Sequence, residues 1–257
     1  MNKKCQLTLF FIFAIVILIA VSFIFSFKSS KYEDETQKEL KISNDLSTST
    51  FANLKYDLNL CFESVSENAI LYISEHGGDY ESSNPHISYW GYTIPVYDYE
   101  NNDRVPTIQD FESGISQIIK EGLPSCIEGF NNTGFFLSGN LESVNTSIEK
   151  DSVKITARYP ILIQKANAKS EMPEFGTRIY ARLGLMHEIA GNISRYKIKN
   201  KAVCIDCVLN YAKNNQLNID ILSDSSFLIF TISDNVTQIN NENVVLKFAL
   251  EKNDGKN

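Results

Sequence analysis

The longest apolar stretch of the chain lies near its N-terminus and carries no charge between Leu7 and Phe27. As a helix, these 21 residues would extend about 31 Å, which matches the apolar core of a bilayer. A cleavable secretory signal usually has a shorter apolar region that ends in small residues, whereas this stretch ends in a Phe-rich sequence over 22–27. The pattern predicts a retained transmembrane helix, a signal anchor, over 7–27 behind a short cytosolic tail over 1–6.

Polar residues dominate the next segment, 28–50, which has scarcely any large apolar side chains and therefore predicts a stalk or linker. Residues 32–40 contain no helix breaker, so a continuation of the membrane helix by a turn or two stays open. From Phe51 onward, apolar residues recur at helical spacing as far as Gly77 and Gly78, which are typical of a helix C-terminus. This pattern predicts the first helix of the body.

A capping box indicates the start of a second helix. Thr107 follows Pro106, and Asp110 stands three residues after Thr107, so the two side chains are placed to cap each other's backbone N–H groups. The apolar spacing then continues to Gly122. Pro124 favours the first turn of a helix and predicts a separate short helix after it.

Alternating apolar and polar residues in the middle of the chain predict a hairpin. The alternation covers 144–148 and 153–159 on either side of a polar turn, and it places Lys154, Thr156 and Arg158 on the solvent face. One face of this hairpin is expected to be buried.

Helices and strands follow one another without regular alternation in the last third of the chain. Apolar residues spaced by four and three from Ile179 to Ile193 predict a long helix, and a shorter one is predicted over 203–213. Strands are predicted over 217–222, 227–232 and 244–250. We therefore expect an α+β body over 51–252 with a mostly antiparallel sheet and several packed helices, followed by a disordered tail over 253–257.

Composition excludes several classes of protein. The 257 residues include 24 basic and 31 acidic side chains, for a net charge of −7, so the chain lacks the basic surface that nucleic acid binding needs. A hydrophobic fraction of 43% excludes a chain that is disordered throughout. No nucleic acid partner is expected.

The body is expected to lie outside the cytoplasm. Lys3 and Lys4 on one side of the span balance Lys28 and Lys31 on the other, so the positive-inside rule gives no orientation. Glycosylation sequons, which matter only outside the cytosol, favour an extracytoplasmic glycoprotein, and they begin at Asn131, Asn145, Asn192 and Asn235. The cysteines of the body point the same way.

Two cysteines lie in separate helical patterns. A disulfide between Cys61 and Cys126 would join the first helix to the segment after Pro124 and close a loop of 65 residues. Two buried free thiols are the alternative, and they become the better interpretation if the body is cytosolic.

Cys204 and Cys207 form a C-x-x-C motif. A local structural disulfide is the favoured interpretation, with thiol–disulfide exchange, metal binding and free thiols as alternatives. The preceding segment, 196–202, is basic and irregular, unlike the apolar strand of a thioredoxin-like site, and no second C-x-x-C or close His pair supplies a zinc site.

The sequence predicts no catalytic residue, metal site or cofactor. His187 and Glu188 match the start of an H-E-x-x-H zinc motif, but Gly191 occupies the position of the second His. The nucleophile-elbow, P-loop and dinucleotide-binding patterns are all missing from the sequence.

Aromatic residues are concentrated between two turn signals, Gly91 and Pro95. Such side chains offer a large contact area for a sugar or a protein, and the group comprises Tyr89, Trp90, Tyr92, Tyr97 and Tyr99. The alternative is a long connection that covers the core with alternate rings.

The N-terminal sequence Lys3-Lys4-Cys5-Gln6-Leu7-Thr8-Leu9-Phe10 resembles the archaeal prepilin-like (class III) signal peptides. That resemblance implies cleavage between Cys5 and Gln6, with the apolar helix kept on the mature chain. Cys5 replaces the usual Gly or Ala, and Phe10 stands near the position of a Glu that aligns pilin subunits. The body resembles uncharacterised single-span surface proteins of small-genome archaea at Leu60-Cys61, Ala69-Ile70-Leu71-Tyr72, Gly77-Gly78-Asp79-Tyr80, Leu123-Pro124-Ser125-Cys126 and Tyr159-Pro160.

Together these features predict a non-enzymatic, membrane-anchored extracytoplasmic protein of surface structure or interaction. Its expected partners are the membrane, through the single span, and itself or other envelope proteins. A pilin-like filament subunit and an extracytoplasmic thiol–disulfide oxidoreductase are the two alternatives.

Overall fold

The computed structural model describes residues 35–80 and 84–252, with side chains from Ser49 onward except that of Asn132. The predicted cytosolic tail, membrane span and processing site at Cys5 and Gln6 lie outside the described residues, as does 253–257. Among the helices of the described part, none is long and apolar enough to cross a bilayer. The chain divides into two units, Met1–Asn53 and Leu54–Asn257, and the described part of the first is helical.

Four α-helices are present in the described ranges. They are α1 (Glu35–Glu75), α2 (Ile108–Glu128), α3 (Leu183–Asn200) and α4 (Ile205–Asn215), and a short 3₁₀ helix over Gly129–Thr133 follows α2. The first of them begins within the segment predicted as a stalk, which is helical from Glu35 onward.

The strands of the described residues form two sheets. The strands of the first sheet are β1 (His86–Tyr89), β2 (Tyr92–Tyr99), β3 (Asn102–Asp103), β8 (Leu217–Ser223), β9 (Phe227–Ile239) and β10 (Glu242–Glu251). Their order is β1-β2-β10-β9-β8, with β3 also paired to β2. The second consists of β4 (Phe136–Ser138), β5 (Ser143–Ile148), β6 (Val153–Lys165) and β7 (Ala168–Ile179).

The α+β class predicted from the sequence is confirmed, but the single sheet is two. Strands β2 and β10 run parallel, which makes the first sheet mixed, whereas every pairing in the second is antiparallel. The predicted hairpin is β5 and β6, and Lys154, Thr156 and Arg158 are exposed as expected.

The second sheet is organised around β6. Strand β7 pairs with β6 along its whole length, so β5 and β4 share its other edge end to end. Helices α1 and α2 cover the buried face: the Phe62 and Phe175 rings lie 5.4 Å apart, and the Ser116 and Thr146 hydroxyls lie 2.8 Å apart. This packing explains the alternating burial along β6.

Strand β2 is buried on both faces. Because neighbouring side chains in a strand point to opposite faces, Tyr97 and Asp98 lie on different sides of the first sheet. The Tyr97 ring stacks on Phe248 at 4.7 Å, and Phe248 stacks on Phe230 at 4.9 Å. The face of Asp98 is covered by α3, on which Ser194 Oγ donates to the Tyr97 carbonyl at 3.3 Å.

Two sequence-based predictions of helices are wrong, and so is one alternative interpretation of the aromatic segment. Helix α2 continues through Pro124, because Leu123 and Ile127 extend the buried stripe of the helix and hold its last turns against the core. Helix α3 starts only at Leu183, because Ile179 ends β7 and pairs with Val153. The aromatic segment is β1 and β2 rather than a connection.

The predicted capping box is confirmed at the start of α2. Thr107 Oγ1 accepts from the Asp110 N–H at 3.3 Å, and Asp110 Oδ2 accepts from the Thr107 N–H at 2.6 Å. Thr107→Ala is therefore expected to lower the free energy of unfolding by about 1 kcal/mol. Denaturant unfolding of the full chain in detergent measures this, with exposed Ser113→Ala inside the same helix as control. An equal effect of both variants would contradict a specific role for the cap.

Candidate functional site

The first cysteine pair joins α1 to α2. The Cα atoms of Cys61 and Cys126 lie 6.3 Å apart, within the usual range for a disulfide, although 65 residues separate them in sequence. Cys61 is buried, with 7% of its surface exposed. The pair is therefore at disulfide distance, as the sequence predicts, and it fixes the two helices that cover the second sheet.

The second cysteine pair lies at the N-terminus of α4. Cys204 is the N-cap residue, its Cα lies 5.2 Å from that of Cys207, and its Sγ accepts a hydrogen bond from the Cys207 N–H at 3.2 Å. The element before Cys204 is the helix α3, whereas a thioredoxin-like site has a strand in this position. Among the described residues, no group of three or more His, Cys, Asp or Glu side chains is placed to hold a metal ion.

The aromatic residues do not form one surface. Trp90 stands at the turn between β1 and β2 with 86% of its surface exposed, and Tyr92 is 42% exposed. Tyr89 and Tyr99 instead pack partly against an apolar cluster of the first sheet. We call Trp90 and Tyr92 the aromatic tip.

Lys247 supports the aromatic tip from β10. Its Nζ lies 3.3 Å from the centroid of the Tyr92 ring, a cation–π contact. The side chain of Lys247 is only 14% exposed, and Glu75 Oε1 lies 3.6 Å from the same nitrogen. These contacts fix the Tyr92 ring, while Trp90 stays accessible.

The sequence places Tyr97 in the candidate binding surface, but this residue belongs to the core. No part of its surface is exposed, and its hydroxyl donates to the Gly77 carbonyl at 2.9 Å. Burial raises the pKa of this hydroxyl, and the charge of Asp79 adds to the shift. The correction has a simple cause: the middle of β2, from Ile94 to Asp98, is buried on both faces, so Tyr97 lies in the interior whichever way it points.

The four sequons differ in their surroundings. Asn145 and Asn235 are exposed, and exposed Asn131 also accepts from the Leu137 N–H at 2.8 Å. Asn192 is half-buried within α3, and the Ser194 of its sequon is fully buried. Use of these sites as glycan acceptors stays a prediction.

An open polar cleft of 1110 Å³ lies beside the N-terminal half of α2. Its carboxylates are engaged by the fold: Asp110 caps α2, and Glu112 Oε1 accepts from the Ile148 N–H at 2.8 Å. Glu121 accepts from Gln117 and Tyr80, and these two hydrogen bonds lower the pKa of its carboxyl. These contacts hold the cleft-lining carboxylates in structural hydrogen bonds.

His187 has a similar structural role. Its Nε2 lies 2.8 Å from the Pro106 carbonyl, and its ring contacts the edge of Phe111 at 5.2 Å between centroids. A carbonyl oxygen only accepts hydrogen bonds, so Nε2 carries the proton and donates it. This bond ties α3 to the start of α2.

Two buried ion pairs are not predicted by the sequence. Arg182 pairs with Asp234, and Lys197 pairs with Asp98, with side-chain exposures of 12% and 0% in the first pair and 4% and 0% in the second. The sequence held one signal for the second pair, because Lys197 follows Ile193 by four residues and so continues the apolar stripe of α3. Nothing local indicates the two aspartates.

The Arg182–Asp234 pair makes stability depend on pH. Burial alone raises the pKa of Asp234, but hydrogen bonds from Arg182, Thr237 and Val236 outweigh it and hold the pKa below its ordinary value. The stabilisation is therefore present above the unfolded pKa of about 4 and is lost as pH falls through the folded value. We expect the stability difference between wild type and Asp234→Asn to narrow below about pH 4, measured by denaturant unfolding. A constant difference would contradict this assignment.

No family model, curated protein or solved structure matches the chain. The residues of this chain are therefore the basis for any proposal about function.

Proposed function

We propose that the chain is a membrane-anchored protein whose α+β body lies outside the cytoplasm and serves surface structure or interaction without catalysis. The observation that carries this proposal is the pairing of the cysteines. All four cysteines after residue 50 lie in two pairs at disulfide distance. Disulfides persist in oxidising compartments and are rare in a reducing cytosol.

The apolar run over 7–27 supports the anchor, because a single span of that length would hold the body at one membrane surface. The body lies C-terminal to this run. An oxidising environment for the body and a short N-terminal tail in the cytosol are the combination that fits both features.

Thiol trapping tests the compartment. Cells that produce the full chain are treated with a membrane-permeable alkylating agent before lysis, and the Cys61 and Cys126 peptides are analysed by mass spectrometry. We expect the two peptides to be joined and unmodified by the agent. Alkylation of both thiols in most molecules would overturn the proposal.

The aromatic tip supports a role in interaction. Exposed Trp and Tyr side chains are enriched among the residues that contribute most to protein–protein binding, because they bury a large area at low entropic cost. The contact of Lys247 with Tyr92 orders this surface before a partner binds. The partner is another envelope protein or a second copy of this chain.

Trp90→Ala is expected to weaken assembly severalfold while leaving the free energy of unfolding within about 0.5 kcal/mol, because the side chain is 86% exposed. Chemical cross-linking in native membranes, quantified by mass spectrometry, measures the assembly. Tyr180→Ala is the matched control, since Tyr180 is an aromatic residue with 70% exposure that lies outside the β1–β2 hairpin. Equal cross-linking by wild type and Trp90→Ala would exclude the tip as the contact.

A pilin-like filament subunit is a second candidate, supported by α1. This helix of 41 residues begins eight positions after the end of the apolar run. A long N-terminal helix of this kind suits packing along a filament axis. The mature N-terminus tests it: a chain that begins at Gln6 supports prepilin-type processing, and one that begins at Met1 or Asn2 removes the support.

A thiol–disulfide oxidoreductase is the third candidate, supported by the hydrogen bond from the Cys207 N–H to Cys204 Sγ. A donor at a helix N-terminus stabilises a thiolate at that sulfur. Exchange with a dithiol peptide is measured for the full chain and for a Cys204→Ser/Cys207→Ser variant. Equal rates for the two proteins would dispose of this candidate.

A further inference from the structure

Lys197 of α3 and Asp98 of β2 form an ion pair that is buried from solvent. Lys197 Nζ donates to Asp98 Oδ2, and the two side chains are 4% and 0% exposed. Asp98 Oδ1 is fully buried and accepts no hydrogen bond from any described residue. The reactive ends of a primary amine and a carboxyl group are thus held together away from solvent.

The pair differs from the other buried ion pair of the protein. Asp234 receives hydrogen bonds from Arg182, from the Val236 and Thr237 N–H groups and from the Thr237 hydroxyl. Such bonds compensate for the several kcal/mol that burying each charge costs. Asp98 has a single donor, Lys197, so the burial of its charge is poorly compensated.

We propose that Lys197 and Asp98 condense to an intramolecular isopeptide bond. One proton moves from the Lys197 ammonium to the Asp98 carboxylate, which gives a neutral amine and a neutral acid. The amine nitrogen then attacks Cγ, the Nζ–Cγ bond forms and the Cγ–Oδ2 bond breaks. A second proton moves from Nζ to the departing hydroxyl, which leaves as water, and the amide keeps one N–H. The reaction needs no oxidant, reductant or cofactor.

Burial of the two side chains favours the isopeptide bond over the ion pair. Two groups fixed in contact react as if at very high concentration, because the entropy of bringing them together is already lost on folding. The amide is neutral, so its formation removes two buried charges. Exclusion of bulk water also protects the new bond from hydrolysis.

Asp103 lies opposite Asp98 and favours its condensation through charge repulsion. It is the partner of Asp98 in the antiparallel pairing of β2 and β3, so both carboxylates lie on one face of the sheet. The Asp103 side chain is 43% exposed and reaches solvent, and Arg195 of α3 lies 3.9 Å from it. Like charges directly opposite each other are destabilising, and condensation of Asp98 removes that repulsion. Asp103 acts here as a positioning residue.

The bond would join residues 99 positions apart and lock α3 onto strand β2 of the first sheet. It goes beyond the proposed function and does not depend on it, because the reaction requires no particular compartment.

Peptide mass spectrometry of the full chain, purified in detergent, reduced and alkylated, tests the proposal. Trypsin cleaves after Arg195 but is blocked at an acylated Lys197, so peptide 196–199 is expected to be joined to the peptide that contains Asp98. The joined pair is lighter than the sum of its members by one water. Cleavage after Lys197, together with an unlinked Asp98 peptide of full mass, would overturn the proposal.

Three variants sharpen the test. Lys197→Arg keeps the charge but removes the nucleophile, and no linked pair is expected. Asp98→Asn forms the same amide with loss of ammonia, so its linked pair has the wild-type mass. This variant keeps the test decisive if Lys197→Arg fails to fold. Asp103→Asn is expected to slow linkage severalfold in a pulse-chase experiment with the circular dichroism spectrum unchanged. A linked pair in Lys197→Arg, an unlinked Asp98→Asn or an unchanged rate in Asp103→Asn would each contradict the mechanism.

Discussion

Arg182→Ala is expected to lower the free energy of unfolding by about 3–5 kcal/mol, because it leaves a buried carboxylate without its cation. Asp234 has no exposed side-chain surface, and both of its oxygens accept from Arg182 Nε, at 3.1 and 3.0 Å. Removing the guanidinium keeps the desolvation penalty of Asp234 and abolishes the attraction that offsets it.

The same arginine also holds the end of α4. Its NH1 group donates to the Asn215 carbonyl at 2.6 Å, and its NH2 group donates to the Gln216 carbonyl at 3.2 Å. These carbonyls stand where a helix ends and have no partner along the helix. The variant is therefore expected to loosen the contact of α4 with β8 as well as to lower the global stability.

Denaturant unfolding of the full chain in detergent, followed by circular dichroism, measures the loss. Arg178→Ala is the matched control, because Arg178 pairs with Glu149 at 2.8 Å but the two side chains are 47% and 49% exposed. An exposed pair contributes about 1 kcal/mol or less. A similar loss of unfolding free energy in both variants would contradict the prediction, because it would show that the buried pair stabilises the fold no more than the exposed pair.

Removing the Cys61–Cys126 pair is expected to lower the free energy of unfolding by a similar amount. The bond closes a loop across 65 residues, and in the chain-entropy model such a loop contributes about 4 kcal/mol. Cys61→Ala/Cys126→Ala tests this by denaturant unfolding of the full chain under oxidising conditions. The variant also loses packing, since Cys61 is buried in the contact between α1 and α2.

The second pair is the internal control for the loop-length argument. Cys204 and Cys207 are separated by three residues, so the same model gives their bond only about 1.5 kcal/mol. Cys204→Ala/Cys207→Ala should therefore destabilise the protein much less. Equal losses for the two double variants, or no loss for Cys61→Ala/Cys126→Ala, would contradict a constraining role for the longer-range bond.

The elements that the sequence predicts well are those with local signals. The capping box at Thr107 and Asp110 is local, and so is the alternation of β6, because one face of that strand is buried and the other is wet. Strand β2 carries no such signal. It is covered on both faces, and the parallel pairing with β10 that covers its edge joins residues far apart in sequence.

The candidate sites likewise divide into those with a local sequence signal and those that depend on contacts between residues far apart in sequence. Cysteines in helical patterns favour a link between two helices, and the structure places that pair at disulfide distance. The partner of Lys197, by contrast, is Asp98, 99 residues earlier and on a different element. Tyr97 and Trp90 are both aromatic residues of one segment, and only strand geometry separates the buried residue from the exposed one.

The location of the body outside the cytoplasm is the central claim, and protease accessibility tests it most directly. Intact cells or spheroplasts that produce the full chain with an epitope after Asn257 are treated with a protease that does not cross the membrane. We predict loss of the epitope signal in step with known surface proteins, while a cytosolic marker stays intact. Survival of the epitope until the membrane is permeabilised would contradict the account.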